Sequence, residues 1–101
     1  MKLAMRGAAP AHLVAAFPAL SAPNQWTLTT GLNPAVHGIV SNNFMDPDTN
    51  KTFDYYDTAK MEDPMWWRKG EPIWQTASRQ GLKPAVINWP GASLCKGYSS
   101  R

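Results

Sequence analysis

The sequence predicts an α/β fold in the order strand, helix, hairpin, helix, strand, on three observations. Two short apolar runs, residues 11–17 (AHLVAAF) and 84–89 (PAVINW), lie between prolines and read as buried strands. Start and stop signals bracket two helical segments, each followed by glycine. A turn-rich pentad, Asp46-Pro47-Asp48-Thr49-Asn50, separates two β-leaning pieces. Helices set between non-adjacent strands point to part of an α/β layer rather than a bundle.

Taken in order, residues 2–6 fit the tail of a helix stopped by Gly7. The strand at 11–17 ends at Pro18. Ser21 fits an N-cap, with Pro23 in the first turn, and the helix then runs through Trp26 and Leu28 to about Thr30. Gly31 suits the stop, and Asn33-Pro34 begins a turn. The hairpin pairs Ile39–Phe44 with Lys51–Tyr56. Asp57 to Gly70 is loop-like and carries Trp66-Trp67. Residues 72–80 form a short helix with Pro72 in its first turn and Gly81 at its end; Ile73, Trp74 and Ala77 share one apolar face. Pro84 to Trp89 is the second buried strand, and the tail from Ser93 has no pattern.

The totals bound what the chain does. Its 101 residues suffice for one small domain, which at this size buries roughly 60–65% of the extended-chain surface. A hydrophobic content of 44% excludes wholesale disorder. The net charge of +3 is spread over scattered lysines and arginines, so a nucleic-acid polymer is not the expected partner. One cysteine, Cys95, excludes an internal disulfide and a cysteine-rich zinc module, and reads as an inert thiol. No apolar run reaches the roughly 20 residues of a membrane span. The first 22 residues loosely follow a signal peptide, but Arg6, Pro10, His12 and Pro18 interrupt the apolar region, so cleavage is not expected.

Ser21 is the residue around which a function can be built. It follows an apolar run and opens a helix, where free backbone N–H groups and the positive dipole end favour an anion such as phosphate. A hydroxyl placed there either caps the helix or attacks phosphorus, and local sequence alone favours the cap.

The wider motif set bears on that choice. The stretch FPALSAPNQWTLTTGLNPAVHGIVSNN resembles the type I phosphodiesterase/nucleotide pyrophosphatase family of the alkaline phosphatase superfamily. The family pattern runs F-P-x-x-T/S-x-P-N, then T-G-L-x-P, then H-G-I-V-x-N. It continues here through Asp46-Pro47, Trp66-Trp67, Gly70-Glu71-Pro72-Ile73-Trp74 and Trp89-Pro90-Gly91. The resemblance covers about residues 10–93. It implies a partial alkaline phosphatase-like sandwich, an incomplete domain. By the same resemblance, Ser21 is the nucleophile and one zinc ligand, Asn42 binds a phosphoryl oxygen, and Asn24 supports the nucleophile turn. Two zinc ions would activate the hydroxyl and stabilise the departing oxygen. The substrate would be a phosphodiester or nucleotide, hydrolysed through a phospho-serine intermediate. Such proteins are often secreted, periplasmic or membrane-anchored.

Several features depart from the pattern. The remaining zinc ligands of the family have no counterpart in this chain, so the isolated polypeptide is expected to bind no zinc and to be inactive. His12 and His37 are expected to be hydrogen-bonded structural histidines. Ala22 stands where Phe is usual and Gln25 where His is usual, which loosens the expectation of a nucleotide. Trp66, Trp67 and Trp74 are expected in packing, Ser93 has no assigned role, and Asp46, Asp48 and Asp54 lack a calcium-loop spacing. Asn50-Lys51-Thr52 is an N-glycosylation sequon. Exposed apolar surface is expected near Leu13, Val14, Val86 and Ile87. The alternatives are an inert truncated product and an aromatic binding module.

Overall fold

A computed structural model describes residues 1–94 and 99–100; Cys95 lies outside the described residues. After α1 (Lys2–Arg6) the chain runs extended to α2 (Ser21–Thr30), then turns through α3 (Pro34–His37) into a hairpin of β1 (Asn43–Met45) and β2 (Thr52–Asp54). A single-turn α4 (Thr58–Met61) and a 3-10 turn (Pro64–Trp67) lead to α5 (Ile73–Arg79). The two-residue β3 (Ala85–Val86), a 3-10 turn (Ala92–Leu94) and β4 (Ser99–Ser100) follow. β1 and β2 pair antiparallel with Phe44 opposite Phe53, and β3 pairs in parallel with β4.

The mixed helix and strand character matches expectation, but the strands are fewer and shorter. Residues 11–17 form no strand. Leu13, Val14 and Phe17 are exposed, Phe17 at 93%, and a strand exists only where a neighbour completes its ladder. The segment Pro84–Trp89 pairs over two residues only, and Ile87 is exposed. The expected surface at Leu13, Val14 and Ile87 is therefore present, whereas Val86 is half-buried. The hairpin is shorter than expected because Ile39 leaves it and packs, fully buried, into the core. Ile73 is exposed rather than part of the apolar face of α5, which buries Trp74 instead.

Aromatic rings make the core. Trp26, Phe53, Trp66, Trp67 and Trp74 pack with Ala22 and Ile39. Trp26 meets the Trp67 ring edge-on with centroids 5.0 Å apart, and Trp66 meets Phe44 and Phe53 in the same manner. Such edge-to-face pairs add about 0.5–1.5 kcal/mol each beyond area burial. Three indole N–H groups find carbonyls in the segment between β2 and α5. Trp66 donates to Lys60 O, Trp67 to Met61 O and Trp26 to Lys69 O, at 2.8–3.1 Å. That segment is thereby held down rather than loose. Asp57 caps α4 and Asp63 caps the 3-10 turn, giving it helical starts the sequence reading passed over.

Gly91 closes the core. Its φ of +77° is left-handed, and a Cβ there would fall 2.6 Å from the Trp67 ring, so only glycine fits.

Candidate functional site

The first turn of α2 departs from expectation in an instructive way. Leu20, not Ser21, is the N-cap, and Ser21 is the first helical residue. With Leu20 as the cap, the first-turn donor Ala22 N is satisfied from outside the helix, donating to Asn42 Oδ1 at 2.9 Å. Pro23 has no N–H, and Asn24 N donates to Leu20 O at 3.2 Å. The Ser21 side chain thus takes no part in capping α2, and the residue is exposed.

Asn42 lies just before β1, and its carbonyl accepts from Tyr55 N at 2.8 Å, which closes the open end of the hairpin. With Oδ1 engaged by Ala22 N–H, its amide nitrogen is a separate donor. The nearest partner is the Tyr56 hydroxyl at 3.5 Å, a long contact. Asn42 is thereby held against the backbone of Ala22, the residue after Ser21.

Asn24 braces the chain entering the helix. Its Oδ1 accepts from Ala16 N at 2.8 Å, and its Nδ2 donates to Pro18 O and Leu20 O at 2.9 Å and to Ala16 O at 3.3 Å. One side chain thus ties residues 16–20, including the cis Phe17-Pro18 bond, against the start of α2. This is the supporting position expected of it.

His37 is 1% exposed. Its Nδ1 accepts from Ile39 N at 3.2 Å, which places the proton on Nε2, 3.1 Å from Thr27 Oγ1. Burial pushes its pKa down, opposed in part by hydrogen bonds to the carbonyls of Pro23 and of His37 itself. It is a structural histidine that docks α3 on α2. His12, by contrast, is exposed on the extended segment and not a core residue.

A cavity of about 540 Å³ opens one helical turn from Ser21, lined by Gln25, Tyr55, Met61, Trp89 and Ser93 among others. The Tyr55 hydroxyl donates to Gln25 Oε1 at 3.0 Å, so the residue standing where histidine is usual is oriented from the end of the hairpin. Tyr55 and Tyr56 were not singled out by sequence. Their partners lie 30 and 14 positions away, and no local spacing signals that. Trp66, Trp67 and Trp74 are core residues, as expected.

Among the described residues no group of three or more His, Cys, Asp or Glu side chains is close enough to hold a metal ion. Nor does any helix of the described residues have the length and apolarity to cross a membrane.

The family model for type I phosphodiesterase / nucleotide pyrophosphatase matches residues 1–99. An uncharacterized pyrophosphatase/phosphodiesterase of Schizosaccharomyces pombe is 47% identical over 91 residues, 90% of this chain and 19% of that protein. Ectonucleotide pyrophosphatase/phosphodiesterase family member 3 of Bos taurus is 42% identical over 93 residues, 92% of this chain and 10% of that protein. Among solved structures, the murine ectonucleotide pyrophosphatase/phosphodiesterase 5, an inactive variant in complex with AMP, superposes with a TM-score of 0.73 at 38% identity. That match covers 79% of this chain and 21% of the other. The chain therefore spans about 10–19% of the length of these curated relatives.

Proposed function

Since the chain belongs to the type I phosphodiesterase/nucleotide pyrophosphatase family, we propose that it carries the nucleophile segment of a hydrolase acting on phosphodiester or pyrophosphate bonds within a partial alkaline phosphatase-like fold. The observation that carries this reading is the division of labour at the start of α2. Asn42 Oδ1 satisfies the Ala22 N–H, so the exposed Ser21 hydroxyl is not needed as a cap, and the Asn42 amide nitrogen, with only a long contact to the Tyr56 hydroxyl, is available as a donor.

Ser21 Oγ attacks phosphorus, the bond to the leaving oxygen breaks, and the hydroxyl proton ends on the departing group. Water then cleaves the phospho-serine and restores the hydroxyl. Asn42 Nδ2 donates to a phosphoryl oxygen as its negative charge grows, an interaction worth on the order of 10²–10³ in rate for one such donor. The cavity beside Gln25 and Tyr55 gives room for the group esterified to the phosphate. The murine relative's complex with AMP supports a nucleotide as one such substrate, and Ala22 and Gln25, standing where the family usually has Phe and His, leave other phosphodiesters comparably acceptable. Ser21 would be one ligand of a zinc pair whose remaining ligands come from outside the described residues, and the isolated chain of 101 residues is accordingly expected to be inert.

In the enzyme that contains this segment, Ser21→Ala abolishes hydrolysis of a bis-aryl phosphate and removes an acid-stable phosphoryl group trapped on the peptide spanning Ser21. Undiminished turnover in that variant refutes the assignment. Turnover by the isolated chain, lost in Ser21→Ala, refutes its expected inertness.

A further inference from the structure

The end of the hairpin touches the start of α2 twice. Asn42 takes the N–H of Ala22, and the Tyr55 hydroxyl donates to Gln25 Oε1 at 3.0 Å. Tyr55 is itself held at its root, where its N–H donates to Asn42 O at 2.8 Å, and its ring lies edge-on to that of Tyr56 with centroids 5.4 Å apart. Gln25 follows Ser21 by one helical turn and so shares its face of α2. Among the described residues it is the one member of α2 on the wall of the cavity of about 540 Å³; Ala22, next to Ser21, is fully buried in the aromatic core instead.

A carboxamide presents an acceptor at one end and N–H donors at the other. With Oε1 engaged by the Tyr55 hydroxyl, the Nε2 end of Gln25 is the one left over, and among the described residues nothing engages it. We propose that Gln25, held in this sense by Tyr55, sets specificity: Nε2 donates to a hydrogen-bond acceptor on the group esterified to the phosphate, a ring nitrogen, carbonyl or sugar oxygen, and so favours such substrates over plain aryl or alkyl diesters. Gln25 touches the substrate, and Tyr55 is a positioning residue that acts through it. The inference rests on Ser21 being the nucleophile, as proposed above.

The rest of the wall fits this division. Trp89 supplies an apolar surface for the body of the group. Glu62 is an acceptor when ionised and offers nothing to another acceptor. Asn88 and Ser93 are exposed, and among the described residues no partner fixes their side chains, so neither is set in advance as a donor. Without the Tyr55 hydroxyl the Gln25 amide can present either end to the cavity, and the preference is lost. Gln25 is half-buried, so water serves its N–H when the substrate does not. The discrimination is therefore that of one neutral hydrogen bond, about 2–10-fold, rather than the far larger factor of a fully dry site.

The test uses the enzyme that contains this segment and two diesters with the same para-nitrophenyl leaving group, one retaining a nucleoside monophosphate and the other phenyl phosphate. The ratio of their kcat/KM values is compared between variants, so any loss common to both cancels. That ratio should fall about 2–10-fold in Gln25→Leu and in Tyr55→Phe. It should be kept in Gln25→His, since a neutral imidazole also has one acceptor for Tyr55 and one N–H donor. An unchanged ratio in Gln25→Leu or Tyr55→Phe overturns the inference. So does an equal fall in Gln25→His, which makes side-chain shape rather than donation the cause. These outcomes leave the nucleophile assignment standing, because both diesters are still cleaved. Failure of the unaltered enzyme to cleave either one, or undiminished cleavage of both in Ser21→Ala, overturns that assignment and this inference with it.

Discussion

Replacing Asn24 by alanine should loosen the approach to Ser21 without touching the hydroxyl. The wild-type carboxamide makes four contacts: one accepted from Ala16 N and three donated, to Ala16 O, Pro18 O and Leu20 O. Two amide hydrogens serve those three carbonyls, so one donated contact is shared and about three full hydrogen bonds are at stake. At a net 0.5–1.5 kcal/mol each, the loss is about 1.5–4.5 kcal/mol. The lower half of that range is favoured here, because residues 16–20 are only half-buried or exposed and water replaces part of what is lost. The expected destabilisation in Asn24→Ala is thus roughly 2 kcal/mol. It should be confined to the entry segment, since the aromatic core lies on the other side of α2. Urea unfolding measures the global term, and amide hydrogen exchange at Ala16 and Leu20 measures the local one. Asn24→Asp keeps the acceptor for Ala16 N but turns a charge onto three carbonyls, and should be no better than alanine. A change below about 0.5 kcal/mol, or unaltered exchange at Ala16, would show that the loop holds itself and that the brace is incidental.

Acid should weaken the fold through His37. Burial depresses its pKa, so the unfolded chain binds the proton more readily than the native one. The contribution is complete above the ordinary imidazole value near 6.5 and is lost as pH falls from there through the depressed native value; urea midpoints between pH 7.5 and 5 should decline, and His37→Gln should flatten that profile. Gly91→Ala should cost roughly 2–4 kcal/mol, adding left-handed strain to overlap with the Trp67 ring, read as a fall in melting temperature. Trp26→Ala, at the centre of the cluster and with Lys69 O left without its indole donor, should cost about 3–5 kcal/mol and abolish cooperative unfolding in so small a core. Asn42→Ala should do two things at once: expose Ala22 N–H, at about 1 kcal/mol of stability, and lower kcat/KM in the enzyme. Asn42→Asp, which keeps the acceptor but not the donor, should separate the two by restoring stability alone.

How far the sequence could be read depended on the range over which each signal acts. The helices at 21–30 and 73–79 were legible because their start and stop residues are local: Pro23 and Gly31 for one, Pro72 and Gly81 for the other. The turn at Asp46–Asn50 was legible for the same reason. The strand at 11–17 was not, because its apolar residues specify a partner and the ladder is made by the neighbour. Ser21 looked like a cap because serine is a preferred cap, yet the helix starts one residue earlier, Asn24 N is bonded to Leu20 O, and Ala22 N is taken by a carboxamide 20 positions downstream. The pairing of Ser21 with Asn42 came from the motif pattern rather than from any physical rule about spacing. The Tyr55–Gln25 link had no signal of either kind.

The occupied donors at the start of α2 have one more consequence. Many proteins hold phosphate in a cradle of main-chain amides, which no single substitution removes, since every residue brings the same N–H. Here Pro23 deletes one such group, Asn42 engages that of Ala22 and Pro18 O that of Leu20. Under the proposed function, the hold on an incoming anion then rests largely on side chains, Asn42 above all, which a single codon change would remove.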